Sequence, residues 1–178
     1  DAKTGKVLWE RIFNVFHSDI VTNRLGWNPL AADAKNKRVF AHTTGGFLVA
    51  LDADSGETVW QRQLTEEYGR FTGYGGRIGG GPVFDSGLVI VGQNASVWGD
   101  LAGGAFRMQA FDSATGKLMW WGLTPPPPKE TYYSHPIFRV INGERVLITG
   151  GGDGNLSAFQ VRTGKKVWEY PVSAKARS

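Results

Sequence analysis

The chain has 178 residues, of which 41% are hydrophobic and 20% are charged, and its formal net charge is +4 at neutral pH. This composition supplies a sizeable core and does not match that of a disordered chain. The basic residues are interspersed with acidic ones, which argues against a nucleic-acid-binding face. The absence of cysteine excludes disulfides, thiolate metal sites and a cysteine nucleophile. No run of the sequence is long and apolar enough for a transmembrane helix.

Short apolar runs separated by turn residues dominate the chain. Twenty-five glycines and seven tryptophans are set among stretches rich in Val, Ile, Leu and Phe, and no stretch has clear helical periodicity. Such a pattern is typical of many short strands joined by tight turns. The predicted fold class is therefore all-β.

The first predicted element is a strand over residues 6–13, which begins in the opening stretch DAKTGKVLWE. No strands precede it with which it could form a sheet, and an isolated strand is not stable. We therefore expect it to be the outer strand of a preceding blade, and the chain to be part of a longer one.

Three four-stranded antiparallel meanders follow, each with short turns between its strands. The predicted strands cover 29–33, 38–43, 47–52 and 58–64, then 82–85, 88–93, 106–112 and 117–123, and finally 135–140, 145–149, 156–160 and 165–170. The corresponding units extend over about 27–64, 81–123 and 134–172, with a remnant at 1–13.

The second strand of each meander is apolar on both faces, as in VFAHT, LVIVG and RVLIT. This pattern indicates sheets that are covered on both sides. Radial stacking of four-stranded sheets gives a β-propeller, which closes with about four to eight blades. The expected fold is a partial propeller of three complete blades plus one outer strand, in a single segment over 1–178.

One motif recurs four times, about fifty to sixty residues apart, which is typical of repeat architectures. Its pattern, Ala-x-Asp-x-x-Thr-Gly-x-x-x-Trp, resembles the tryptophan-docking motif of the pyrroloquinoline-quinone (PQQ) type repeat propellers. Gln160 replaces the acid in the last copy, and Ser55 replaces the threonine in the second. The predicted motif residues are Trp9; Ala50, Asp52, Gly56 and Trp60; Ala110, Asp112, Gly116 and Trp120; and Ala158, Gly164 and Trp168.

The resemblance implies that each motif tryptophan docks on the motif of the next blade. Aspartate and threonine can bond local backbone groups at a tight turn, and alanine leaves room for a large ring. We therefore expect these residues to be structural rather than ligand-binding.

Other residues carry weaker signals. Trp27, Trp98 and Trp121 lie outside the motif position, and local packing is the favoured role for them. The histidines at 17, 42 and 135 lack metal-ligand spacing, and the glycine-rich run 73–82 lacks the strand and helix of a phosphate-binding loop. The Asp-Gly at 153–154 is typical of a hairpin turn rather than of a calcium site.

Two classes of function remain open. The favoured prediction is a noncatalytic scaffold of the bacterial cell envelope or periplasm, without cofactor or metal, that contacts other protein chains and the remaining blades of its own chain. The alternative is a segment of a PQQ- and calcium-dependent alcohol or sugar dehydrogenase. In that case Asn94, Trp98 and Asp100 are the candidate cofactor-binding residues. Location and both functions follow from the resemblance alone.

Overall fold

The computed structural model describes residues 1–13, 28–68, 81–94, 106–124, 134–151 and 154–172. The described residues form three four-stranded antiparallel sheets and one short helix. No helix in these ranges has the length and apolar character needed to span a membrane.

Each sheet is a meander in which consecutive strands are neighbours. Sheet one consists of β1 (Ala31–Asp33), β2 (Arg38–His42), β3 (Phe47–Asp52) and β4 (Thr58–Gln63), and α1 (Leu64–Tyr68) follows it. Sheet two consists of β5 (Val83–Asp85), β6 (Leu88–Asn94), β7 (Phe106–Asp112) and β8 (Leu118–Thr124). Sheet three consists of β9 (Ile137–Ile141), β10 (Glu144–Gly150), β11 (Asn155–Gln160) and β12 (Lys166–Pro171).

The predicted all-β class and the three meanders are confirmed, with strand ends shifted by one or two residues. Two local features differ from the prediction. Residues 6–13 carry no strand assignment, because no strand in the described ranges pairs with them. Residues 64–68 form the short helix α1, which is too short to show periodicity in the sequence.

The second strand of sheet two, β6, is buried on both faces over residues 88–92, as the sequence predicted. Val89 and Val91 of β6 lie in the core between sheets one and two, whereas Leu88 and Ile90 lie in the core between sheets two and three. Alternate residues of a strand point to opposite faces. One strand therefore supplies side chains to two separate cores.

The same alternation holds for β7, where Phe111 faces sheet one and Ala110 faces sheet three. In the core between sheets one and two, the rings of Phe40 and Phe84 stack with their centroids 5.8 Å apart. The two layers are each built from side chains of neighbouring sheets, so the described fold is a row of propeller blades.

A charged contact also joins sheets two and three. The Arg145 guanidinium donates hydrogen bonds to the Asp85 carboxylate, with Nε 3.1 Å from Oδ2. Burial raises the pKa of Asp85, but the hydrogen bonds from Arg145 and Ser86 lower it more, so the net direction is downward. Asp85 thus remains charged and bonded to the neighbouring blade at ordinary pH.

Candidate functional site

The four motif copies form the same turn, which is clearest in sheet two. The Asp112 carboxylate accepts hydrogen bonds from the backbone amides of Ala114 and Thr115, at 3.2 and 2.8 Å, and from the Thr115 hydroxyl at 2.7 Å. The Gly116 amide then donates to the Asp112 carbonyl oxygen at 2.8 Å. The aspartate side chain and the glycine therefore close a compact loop between the third and fourth strands.

The other copies keep this geometry. The amides of Gly5, Gly56 and Gly164 each donate to the carbonyl oxygen four residues earlier, at 2.9 Å. Hydrogen bonds from the Ser55 amide, the Ser55 hydroxyl and the Asp54 amide lower the pKa of Asp52, with a smaller contribution from Arg38. In the fourth copy Gln160 takes the place of the acid, and its side-chain oxygen accepts a bond from the Thr163 hydroxyl.

Three motif tryptophans lie on the turn of the following copy. In each case the indole N–H donates to the backbone carbonyl oxygen of the residue three positions before the motif glycine. The bonds join Trp9 to Ala53 at 2.9 Å, Trp60 to Ser113 at 3.0 Å and Trp120 to Val161 at 2.9 Å. A buried indole N–H generally needs a partner, and the turn supplies one from the neighbouring unit.

The motif glycine is required by the indole that covers it. At Gly116 the backbone φ is +71°, and an added Cβ would lie 2.7 Å from Cε3 of Trp60. The left-handed conformation disfavours other residues, and the close ring leaves no space for a side chain. The motif glycine and the motif tryptophan thus meet between two copies, because Trp60 of the second copy covers Gly116 of the third.

The motif alanine lies opposite the tryptophan of its own sheet. Ala50, Ala110 and Ala158 pair with Trp60, Trp120 and Trp168 respectively, and the register shifts directly after each alanine. All three alanines are fully buried. A small residue here leaves room for the paired indole, and a bulge at this point changes the direction of the side chains that follow.

Arg62, which is not part of the motif, forms a further contact between sheets one and two. Arg62 of β4 donates to the Gly116 carbonyl oxygen at 3.2 Å and to the Glu67 carboxylate, and also to the Tyr68 hydroxyl at 3.3 Å. The hydrogen bond with Glu67 raises the pKa of Arg62. Sequence reasoning missed this cluster, because only α1 brings Glu67 and Tyr68 back against the end of β4.

The remaining tryptophans differ in exposure. Trp120 is 9% exposed, whereas the adjacent Trp121 is 50% exposed with its ring centroid 6.5 Å from that of Tyr68. Trp168 is half-buried on the outer strand of sheet three. Trp27 and Trp98 lie outside the described residues. The two faces of β8 thus place neighbouring tryptophans in different environments.

Most of the candidate cofactor-binding residues lie outside the residues that the structure describes. Asn94 ends β6, its side chain is not described, and Trp98 and Asp100 lie outside the described ranges. His42 is buried on β2, His135 is exposed, and His17 lies outside those ranges. Among the residues that the structure describes, no group of three or more His, Cys, Asp or Glu could hold a metal ion.

The fold and the repeated contacts define a segment of a β-propeller built from quinoprotein-like repeats. A family model described as "Outer membrane protein assembly factor BamB" matches residues 1–178. The chain belongs to this family, as the resemblance of the motif predicted.

Curated relatives of the chain include alcohol dehydrogenases. It is 29% identical over 163 residues to quinohemoprotein alcohol dehydrogenase ADH IIB of Pseudomonas putida, covering 85% of this chain and 21% of that protein. It is 34% identical over 132 residues to the dehydrogenase subunit of alcohol dehydrogenase (quinone) of Gluconacetobacter polyoxogenes, covering 72% of this chain and 17% of that protein. The chain thus spans about a fifth of these relatives.

Solved structures share the fold. BamB from Moraxella catarrhalis superposes with a TM-score of 0.59 and 19% identity, over 84% of this chain and 39% of that one. Quinohemoprotein alcohol dehydrogenase from Comamonas testosteroni gives a TM-score of 0.56 and 19% identity, over 76% of this chain and 26% of that one. At these identities the structural likeness establishes the propeller fold and not a role.

Proposed function

We propose that this chain is a propeller segment of a PQQ- and calcium-dependent alcohol dehydrogenase of the bacterial cell envelope or periplasm. The observation that carries this proposal is the identity of 29% and 34% to alcohol dehydrogenases over most of the chain. It reverses the order of the two functions favoured by the sequence alone. The structural likeness to BamB, at 19% identity, supports the fold shared by both candidates.

The described residues supply the frame of such an enzyme. The contacts of Trp60 and Trp120 and the Arg62 cluster fix the positions of successive sheets, and the contact of Trp9 attaches the N-terminal segment to sheet one. Rigid blades hold loops at fixed separations, and binding residues of repeat scaffolds commonly lie on such loops. In the sequence, Trp98 and Asp100 lie between β6 and β7, two strands that contribute side chains to the cores on both sides of sheet two.

The described residues do not by themselves form a site that fits PQQ or calcium. They contain no acidic or histidine cluster for a metal, and of the three candidates only the backbone of Asn94 is described. We therefore derive no chemical step through the cofactor. The candidate roles are a ring-stacking platform for Trp98, a carboxylate base for Asp100 and an amide calcium ligand for Asn94.

The test uses the full-length protein after reconstitution with PQQ and calcium. We expect stoichiometric cofactor, detected by PQQ absorbance and calcium analysis, and alcohol-dependent dye reduction. Asp100→Asn should lower kcat by about 100-fold or more, as expected for loss of a general base, with the melting temperature unchanged. Asp54→Asn is the matched control, because Asp54 is an exposed aspartate in the turn between β3 and β4 of sheet one and should retain activity.

Failure to retain PQQ after reconstitution would contradict the dehydrogenase proposal and leave the second candidate. That candidate is a noncatalytic protein-binding scaffold of the cell envelope, favoured by the family model that matches all 178 residues. A scaffold should bind a defined protein partner stoichiometrically. Met119 and Trp121, 53% and 50% exposed on β8, are the residues to change in a binding assay with that partner.

A further inference from the structure

Two polar side chains of the described residues are buried without hydrogen-bond partners. The residue His42 is 4% exposed and Gln109 is 0% exposed, and within the described part of the chain neither imidazole nitrogen and neither amide atom has a partner. Buried polar groups nearly always bond to protein or to ordered water, because their desolvation is otherwise uncompensated. These four atoms therefore require an explanation.

Strand alternation places both side chains in the same layer. His42 is two residues beyond Phe40 on β2, and Phe40 belongs to the core between sheets one and two. Gln109 is two residues before Phe111 on β7, and Phe111 belongs to the same core from the other sheet. Residues two apart on a strand share a face. His42 and Gln109 thus point into one layer from opposite sides.

The pairing registers also place them toward the same end of the layer. His42 pairs with Leu48, and Gln109 pairs with Val91, both of which belong to that core. Both pairs lie several residues away from the motif turns, which follow Asp52 and Asp112. The two polar groups therefore lie toward the same end of this layer, away from the motif turns.

The side chains of His42 and Gln109 favour a small neutral ligand. Burial lowers the pKa of His42 to about 4, so the imidazole is neutral at ordinary pH and has one donor and one acceptor nitrogen. The Gln109 amide likewise offers a donor and an acceptor. The surrounding Phe40, Phe111 and Leu48 disfavour an ion, because they provide no charge to compensate its desolvation.

We propose that His42 and Gln109 together bind ordered water in the layer between the first two sheets. A water that donates to one side chain and accepts from the other satisfies atoms from both blades. The bridge is polar and directional, so it fixes the relative register of the two sheets in a way that apolar packing does not.

A double-mutant cycle tests the bridge. We expect His42→Leu and Gln109→Leu each to lower the melting temperature by about 3 to 6 °C, because each leaves the other group without its bridge. The double variant should recover most of that loss, because both polar groups are then gone. Single variants that each raise the melting temperature, with additive effects, would overturn the proposal.

A high-resolution crystal structure of the unaltered protein provides the second test and does not depend on the variants folding. Water density within about 3.2 Å of both side chains supports the bridge. A dry layer, or a direct hydrogen bond between the two side chains, overturns it. Neither result bears on PQQ content, so this proposal and the proposed function fail independently.

Discussion

Replacing Trp120 by alanine should destabilise the protein strongly, because this side chain joins sheets two and three. It is 9% exposed, lies in the core with Leu147 and Phe159, and donates to the Val161 carbonyl oxygen at 2.9 Å. Truncation of a buried tryptophan costs about 3 to 5 kcal/mol, and the unpaired carbonyl adds about 1 kcal/mol. We expect a total loss of about 4 to 6 kcal/mol.

The assay is urea unfolding of the two variants Trp120→Ala and Trp121→Ala beside the unaltered protein. Trp121 is the matched control, because it is the next residue on β8 and is 50% exposed. Its truncation should cost about 1 kcal/mol, since much of its ring already contacts water. Equal losses in the two variants, at unchanged m-value, would refute the argument that the indole position between sheets determines stability.

Three further predictions concern other contacts. The unfolded chain binds a proton on His42 below pH 6.5 that the folded protein excludes down to about pH 4, so stability should fall as pH drops through that window. The expected loss of unfolding free energy is on the order of 3 kcal/mol. Denaturation midpoints measured at pH 7, 5.5 and 4 should show this decrease in the unaltered protein and not in His42→Leu. Gly116→Ala should cost about 2 to 4 kcal/mol, because the new Cβ meets an indole, whereas Gly87→Ala, with a φ of +79° and nothing within 4 Å, should cost only about 1 kcal/mol in thermal unfolding. Asp85→Asn weakens the contact with Arg145, which is partly exposed, and should cost about 1 kcal/mol at low salt and less at 1 M salt.

Each of these three predictions has a result that would contradict it. A flat midpoint between pH 7 and 4, equal effects of the two glycine substitutions, or a salt-independent Asp85→Asn effect would each contradict the contact concerned. The glycine pair is the most discriminating, because both positions share a left-handed backbone and differ in what covers them.

The sequence by itself determined the repeat and the strands. Short strands with turn residues between them depend on local propensity and on alternation, which are visible in runs such as VFAHT and LVIVG. The motif also follows from local chemistry, because the Asp112 turn and the positive φ of Gly116 involve residues within a few positions. Such features depend little on the rest of the fold.

Only the tertiary structure decided which side chains meet between sheets. Trp60 and Ser113 are 53 residues apart, and nothing local in either segment identifies the carbonyl that accepts the indole bond. The Arg62 cluster exists because α1 turns back toward β4, and His42 is indistinguishable by sequence from an ordinary strand residue. Contacts between blades depend on the register of two sheets at once, and register is a property of the packed layers rather than of either strand.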